Sequence, residues 1–193
     1  MVNDPEVLPV DPLLKMAVIH HQFECIHPFH DGNGRTGRIL NVLYLVKEGL
    51  LDSPILYLSR DILRTKSEYY RLLRHVHESG EWEPWLVCML EAVERTARDA
   101  LATVGGIKAA LADKREHIRA RHSFYGQDLV DHLFLHPYTK IALLERDLRV
   151  SRASAGRYLD ALAADGLLRK ERRGRTDHYV NVALWEVLTR GEP

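Results

Sequence analysis

The sequence predicts a mainly all-α protein, with a helical bundle followed by a smaller unit in which short helices run into a β-hairpin. Three observations carry this. Up to about residue 121, apolar residues recur at helical spacing between capping residues and Gly or Pro stops. From 167 to 182 the spacing changes to strand alternation around a basic turn. The 193 residues are 46% hydrophobic and 28% charged, an ordinary globular composition in a chain long enough for a medium domain or two compact ones.

Asp11 and Pro12 read as N-cap and first residue of a helix with Leu14, Ala17, Val18, Phe23 and Ile26 among its apolar positions. It stops at His27, because Pro28 disfavours helix in the residue before it. Pro28 to Asn33 reads as a loop. A second helix, from about Gly34 to Glu48 with Gly49 as its stop, carries Ile39, Leu40, Val42, Leu43, Leu45 and Val46 around nearly its whole circumference. That pattern predicts a helix buried on most sides, the post of the bundle. Ser59 reads as the cap of a helix through about Glu78, stopped by Gly80. Trp82, Pro84 and Trp85 open another, which Gly105 and Gly106 should interrupt, at about 1 kcal/mol each. The last helix of this half runs to about Arg121, with Ile107, Leu111 and Ile118 on one face.

After residues 122–126, three short helices follow, over 128–136, 139–148 and 151–166. Ile141, Leu144 and Leu148 share a face of the second. Ala155, Leu159 and Leu162 form the buried face of the third, which Ser151 caps. Strands at 167–170 and 178–182 flank a turn centred on Gly174. Helices followed by a hairpin in this order make a winged helix, so the domain boundary is placed between 121 and 122.

Net charge is zero with His neutral, which argues against a bulk basic tether to nucleic acid or membrane. Cys25 and Cys88 lack metal-ligand spacing and sit in apolar helical patterns, which predicts two buried free thiols and a reducing cytoplasm. Residues 1–10 are acidic and unlike a secretory signal. The longest apolar run, Ile39 to Val46 with Asn41 inside it, falls far short of the roughly 20 residues that cross a bilayer.

The chemistry concentrates between His27 and Arg38. Gly32 and Gly34 let a phosphate approach the backbone. The N–H groups around Gly34 and Arg35 open a helix, whose N-terminus attracts anions. Arg35 and Arg38 lie one turn apart and present guanidinium forks, and Asn33 offers an amide donor. Asp31 is a candidate Mg²⁺ ligand, since that ion takes one or two carboxylates plus phosphate oxygens. His27, with an ordinary pKa near 6.5, is a candidate base. Base, metal carboxylate and phosphate cradle together point to transfer of a phosphorus group to a hydroxyl. His20 and His21, adjacent on a helix, point about 100° apart and do not make a metal pair. Trp82 and Trp85 read as packing residues.

This segment, His27-Pro28-Phe29-His30-Asp31-Gly32-Asn33-Gly34-Arg35-Thr36-Gly37-Arg38, resembles the Fic family motif H-x-F-x-(D/E)-G-N-G-R-x-x-R and matches every fixed position. Ile19 to Glu24, Pro54 to Ser59 and Glu68 to Leu73 resemble further family segments, so the resemblance covers about residues 11–120. It implies a Fic-type catalytic core over 1–121 and a winged-helix appendage over 122–193. It further implies a protein adenylyltransferase that moves AMP from Mg-ATP to a Tyr, Ser or Thr hydroxyl. In that reading His27 is the base and Asp31 holds Mg²⁺. Gly32, Asn33, Gly34, Arg35, Thr36, Gly37 and Arg38 bind ATP and its phosphates, with Tyr69 and Tyr70 near the nucleotide and Phe29 anchoring the loop in the core. Gly34, where a kinase-like subgroup carries lysine, favours AMP transfer over phosphorylation.

Other readings stay open: AMP removal by the same site, or a nucleotide-sensing DNA-binding regulator. Residues 140–177 carry a surplus of four positive charges, and Arg152, Arg157, Arg172, Arg173 and Arg175 are the candidate nucleic-acid contacts. The resemblance also implies a hairpin flap before the first helix and an inhibitory S/T-x-x-x-E-G/N segment. Neither is found in the ten residues before Asp11, so the expectation is a core truncated at its N-terminus or an inhibitory partner protein. A homodimer is a further candidate assembly.

Overall fold

The computed structural model describes residue 3 and residues 6–190; the other residues of the acidic start, 1–2 and 4–5, lie outside it, as do 191–193. The described chain is mainly helical with one small antiparallel sheet, and it divides into two compact units, Met1–Leu101 and Ala102–Pro193. None of its helices is long and apolar enough to cross a membrane.

In the first unit α1 (Pro12–Ile26) starts as expected, with the Asp11 carboxylate accepting from the Leu13 N–H at 2.8 Å. Helix α2 (Asn33–Lys47) packs along it. Two short helices, α3 (Leu58–Arg64) and α4 (Lys66–Ser79), follow, and α5 (Glu83–Arg121) passes from the first unit into the second. The core gathers Met16, Ala17, Ile19, Val42, Leu45, Leu58, Ile62, Tyr69, Leu72, Val76, Trp85 and Met89. Trp85 is fully buried and donates its indole N–H to the Ala17 carbonyl at 3.0 Å, a packing role satisfied at its one polar atom.

Four sequence expectations are corrected here. The helix expected from Ser59 to Glu78 is two helices, because Thr65 leaves helical geometry (φ −107°, ψ 25°) while its hydroxyl bonds the Asp61 carbonyl at 3.1 Å. The break expected at Gly105–Gly106 is absent and α5 is continuous; Val187 sits where a side chain on Gly106 would stand. Helix α2 is not buried all round: Ile39 is 61% exposed and Leu43 51%, while Asn33, Gly37 and Asn41 face inward. Hydrophobicity alone misassigned its faces: the buried set joins Val42, Tyr44 and Leu45 to Asn33, Gly37 and Asn41. Cys25 is exposed and Cys88 half-buried, both as free thiols.

The second unit contains α6 (Gln127–Leu135), β1 (Tyr138–Thr139), α7 (Ile141–Leu148), α8 (Arg152–Ala164), β2 (Leu168–Arg173), β3 (Thr176–Asn181) and α9 (Val182–Thr189). The sheet order is β1-β3-β2, with Glu171 opposite His178 and Tyr138 opposite Val180. Ser151 caps α8 through the Ser154 N–H at 3.1 Å. Leu144, Ala155, Leu159 and Leu162 are fully buried with Tyr179. Thr139, expected to open α7, lies in β1 instead, and its hydroxyl meets His132 Nε2 at 2.6 Å. Strand β1 and helix α9 went unforeseen; a two-residue strand carries no readable periodicity. Leu111 and Ile118 of α5 pack in this second core.

Candidate active site

The loop between α1 and α2 is built from both helix ends. His27 caps α1 in the left-handed region (φ 48°), and its N–H reaches the Phe23 carbonyl. That conformation is uncommon for a side-chain-bearing residue and marks a position held by its surroundings. Its Nδ1 lies 3.3 Å from the Glu24 carbonyl. A carbonyl only accepts, so Nδ1 is the donor there, and in the neutral ring the lone pair lies on Nε2. The ring is exposed.

At the other end Gly32 precedes α2 with φ 83°, a value glycine adopts without strain, and no side chain caps the helix. The intrahelical ladder begins with Thr36 N–H to Gly32 carbonyl at 2.9 Å. The N–H groups of Asn33, Gly34 and Arg35 take no protein acceptor among the described residues, which leaves an open, partially positive helix end. The Arg35 guanidinium lies over Gly32, and Arg38 Nη1 lies 3.0 Å from where a Cβ on Gly34 would stand. Both forks therefore sit at the mouth of this helix. Arg35 pairs with Asp31 at 3.1 Å, and Arg38 Nε donates to Ser59 Oγ at 2.8 Å.

Asp31 is the most open carboxylate of the loop, its side chain 91% exposed, with Oδ1 accepting from the Gly32 N–H at 2.6 Å. No group of three or more His, Cys, Asp or Glu among the described residues could hold a metal alone. One solvent-facing carboxylate beside a phosphate cradle still fits Mg²⁺, which takes much of its shell from phosphate and water.

The side chains of several residues expected at the nucleotide are engaged within the protein. Asn33 is buried, and its amide is spent on the loop: Oδ1 accepts from the Phe29 N–H at 2.9 Å and Nδ2 donates to the Phe29 carbonyl at 2.6 Å. Phe29 is half-exposed, with its ring centre 6.3 Å from that of Phe23, so the Asn33 amide, not a buried phenyl ring, ties the loop down. Tyr69 is buried, and its hydroxyl meets His20 Nε2 at 2.8 Å; Tyr70, 48% exposed, is the one of the pair open to a ligand. Gly37 is buried against α1, where a Cβ would stand 2.5 Å from Glu24 Oε1 and about 3 Å from the His20 ring. Glu24 can withdraw its flexible end, but Tyr69 holds His20. Gly37→Val should therefore lower stability by about 1–3 kcal/mol, the usual cost of overpacking, read as a drop in melting temperature.

Sequence reasoning excluded His20 from a metal pair but missed its place in the core. It is fully buried, stacks on Trp85 at 6.1 Å, and presents Nδ1 to the Gly37 backbone without a well-formed hydrogen bond. Burial, and then the Arg38 charge, push its pKa down to about 4. Burial likewise raises the Glu24 carboxyl, against the opposing charges of Arg38 and His27. The available signal was the aromatic pair Trp82 and Trp85, which encloses His21 at 4.9 and 5.6 Å. As expected, the two histidines diverge: His21 Nε2 donates to the Leu73 carbonyl at 3.2 Å.

In the second unit Arg152 lies 3.8 Å from Glu145, Arg172 3.7 Å from Asp177 and Arg173 3.2 Å from Glu171. Arg157 lies over the Tyr158 ring, and Arg175 is exposed in the hairpin turn. Three of these five candidate contacts thus already have a carboxylate beside them.

The loop thus presents an open helix end, two arginine forks beside it and the exposed imidazoles of His27 and His30. Residues 1–45 match the model of the Fic/DOC family. Residues 111–184 match the C-terminal domain of protein adenylyltransferase SoFic-like proteins. The chain is 36% identical over 85 residues to protein adenylyltransferase fic-1 of Caenorhabditis elegans, which covers 44% of this chain and 15% of that protein. It is 41% identical over 71 residues to a probable protein adenylyltransferase of Aquifex aeolicus, 37% of this chain and 20% of that one. With protein adenylyltransferase Fic of Nematostella vectensis it shares 33% over 101 residues, 52% of this chain and 22% of that one. The chain thus spans about a fifth or less of the length of these curated relatives.

Proposed function

We propose that this chain transfers AMP from ATP to a Tyr, Ser or Thr hydroxyl of a target protein and releases pyrophosphate. The carrying observation is the uncapped N-terminus of α2, with free N–H groups at 33–35 and both arginine forks beside it. A triphosphate seats on those N–H groups, and Arg35 and Arg38 take up the charge of its outer phosphates. His27 Nε2, which carries the lone pair in the neutral tautomer whose Nδ1 donates to the Glu24 carbonyl, accepts the target hydroxyl's proton as its oxygen attacks the α-phosphorus. The bond from that phosphorus to the bridging oxygen breaks, and pyrophosphate leaves. Asp31 is the residue that would hold Mg²⁺, which supplies charge neutralisation at the phosphates when bound. Tyr70 is available to the base of the nucleotide. The second unit is taken as a winged helix, and the two free thiols suit a cytoplasmic setting.

Intact-mass measurement of the protein with ATP, alone and with candidate targets, tests this. The expected result is a gain of one AMP, with label transferred from the α- but not the γ-phosphate. Transfer of γ label would indicate phosphorylation. ATP binding without any mass gain would leave a nucleotide sensor.

A further inference from the structure

We infer that Ser59 is a positioning residue for Arg38, holding the guanidinium in register with the helix mouth; this rests on the phosphate-binding role proposed for that mouth. Ser59 had the sequence signature of a helix cap, yet it caps nothing. Tyr57 stands at the N-cap of α3, and no side chain bonds there. The Ser59 hydroxyl instead accepts from Arg38 Nε at 2.8 Å, across 21 residues of sequence. That single contact uses the inner donor of the guanidinium and leaves the outer edge, Nη1 and Nη2, for a ligand. Nη1 is the atom that lies over Gly34.

The chemistry of the acceptor matters as much as its place. Elsewhere in this unit a guanidinium is held by a carboxylate: Arg95 makes bidentate contacts of 2.8 and 3.0 Å with Asp61, which raise its pKa and take up its charge. No carboxylate pairs with Arg38 among the described residues. A hydroxyl fixes the direction of the fork without neutralising it, so the positive charge stays available to an anion. The three staggered χ1 wells and the flexible stem of a free arginine are thereby reduced before the ligand arrives, which is preorganisation. Ser59 sits on the second residue of α3, and Leu58 beside it is 1% exposed and locked into the core. The hydroxyl is thus anchored to a rigid element rather than to a loop.

The test is equilibrium binding of ATP with Mg²⁺ to the whole chain as wild type, Ser59→Ala, Ser59→Thr and Arg38→Ala. Ser59→Ala should bind about tenfold more weakly, the scale of a hydrogen bond to a charged group, at an unchanged melting temperature. Ser59→Thr should return most of the loss. Equal affinity of Ser59→Ala and wild type would overturn the role of Ser59 while leaving the phosphate site standing. Absence of ATP binding by the wild type would overturn both. Should Ser59→Ala fail to fold, the Arg38 Nε–H resonance of the wild type decides. Slow exchange with water supports the contact, and exchange as fast as that of the exposed Arg35 overturns it.

Discussion

His27→Ala should reduce AMP transfer by about 10²–10⁴-fold, the usual contribution of a general base, while ATP binding stays close to wild type. The split follows from where the ring sits. The phosphate-facing groups belong to α2, whereas His27 belongs to the end of α1 and bonds only the Glu24 carbonyl with its side chain. Removing the imidazole takes away the proton acceptor and leaves the anion-binding N–H groups and both arginines in place. The fold should persist because the side chain is exposed, although φ 48° is a conformation that histidine adopts more readily than alanine. Initial rates with α-labelled ATP, set beside ATP affinity of the same variant, make the measurement. A variant that transfers as fast as wild type removes His27 from the mechanism; one that loses ATP binding in proportion to rate would make it a binding residue.

The first unit should lose about 3 kcal/mol of stability between pH 7 and pH 4 through His20 alone. Its pKa falls from the ordinary 6.5 to about 4 in the folded chain, and each unit is worth about 1.4 kcal/mol. Across that window the unfolded chain binds a proton that the folded chain refuses, so acid favours unfolding. Below about 4 both states carry the proton and this contribution flattens. The cost arises because a charged imidazole would sit between Trp85 and Tyr69 with the Arg38 charge nearby. Denaturant titrations at several pH values, read on the fluorescence of Trp82 and Trp85 in a Trp185→Phe background, would show it. His20→Gln should be less stable at pH 7 but lose less between pH 7 and 4. A wild-type and variant difference that is constant with pH would exclude His20 as the source.

Much of the fold was readable from the chain because local signals there had local causes. Asp11-Pro12 and Ser151 cap the helices they precede, and Gly80 ends α4 in the left-handed region. The β2–β3 hairpin lies where alternation and a glycine turn put it. The motif from His27 to Arg38 placed the loop and the open start of α2 for a similar reason: glycine, arginine and helix start are neighbours in sequence. Elements whose existence depends on partners far along the chain were misread. The two-residue β1 exists only by pairing with β3, and α2 looked uniformly buried until α1 selected its small and amide face.

The division within the site has the same physical root. The sequence by itself determined the chemistry on offer: an imidazole, a carboxylate, two guanidinium groups and an uncapped helix start, all within twelve residues. Only the tertiary structure decided which of them face a ligand. It turned Asn33 inward onto Phe29 and buried Tyr69 against His20, which sits 49 residues away. It pressed Gly37 onto α1 and brought Ser59 to Arg38. Residue type is local information, but the direction of a side chain is set by what packs against it, and those neighbours come from distant helices.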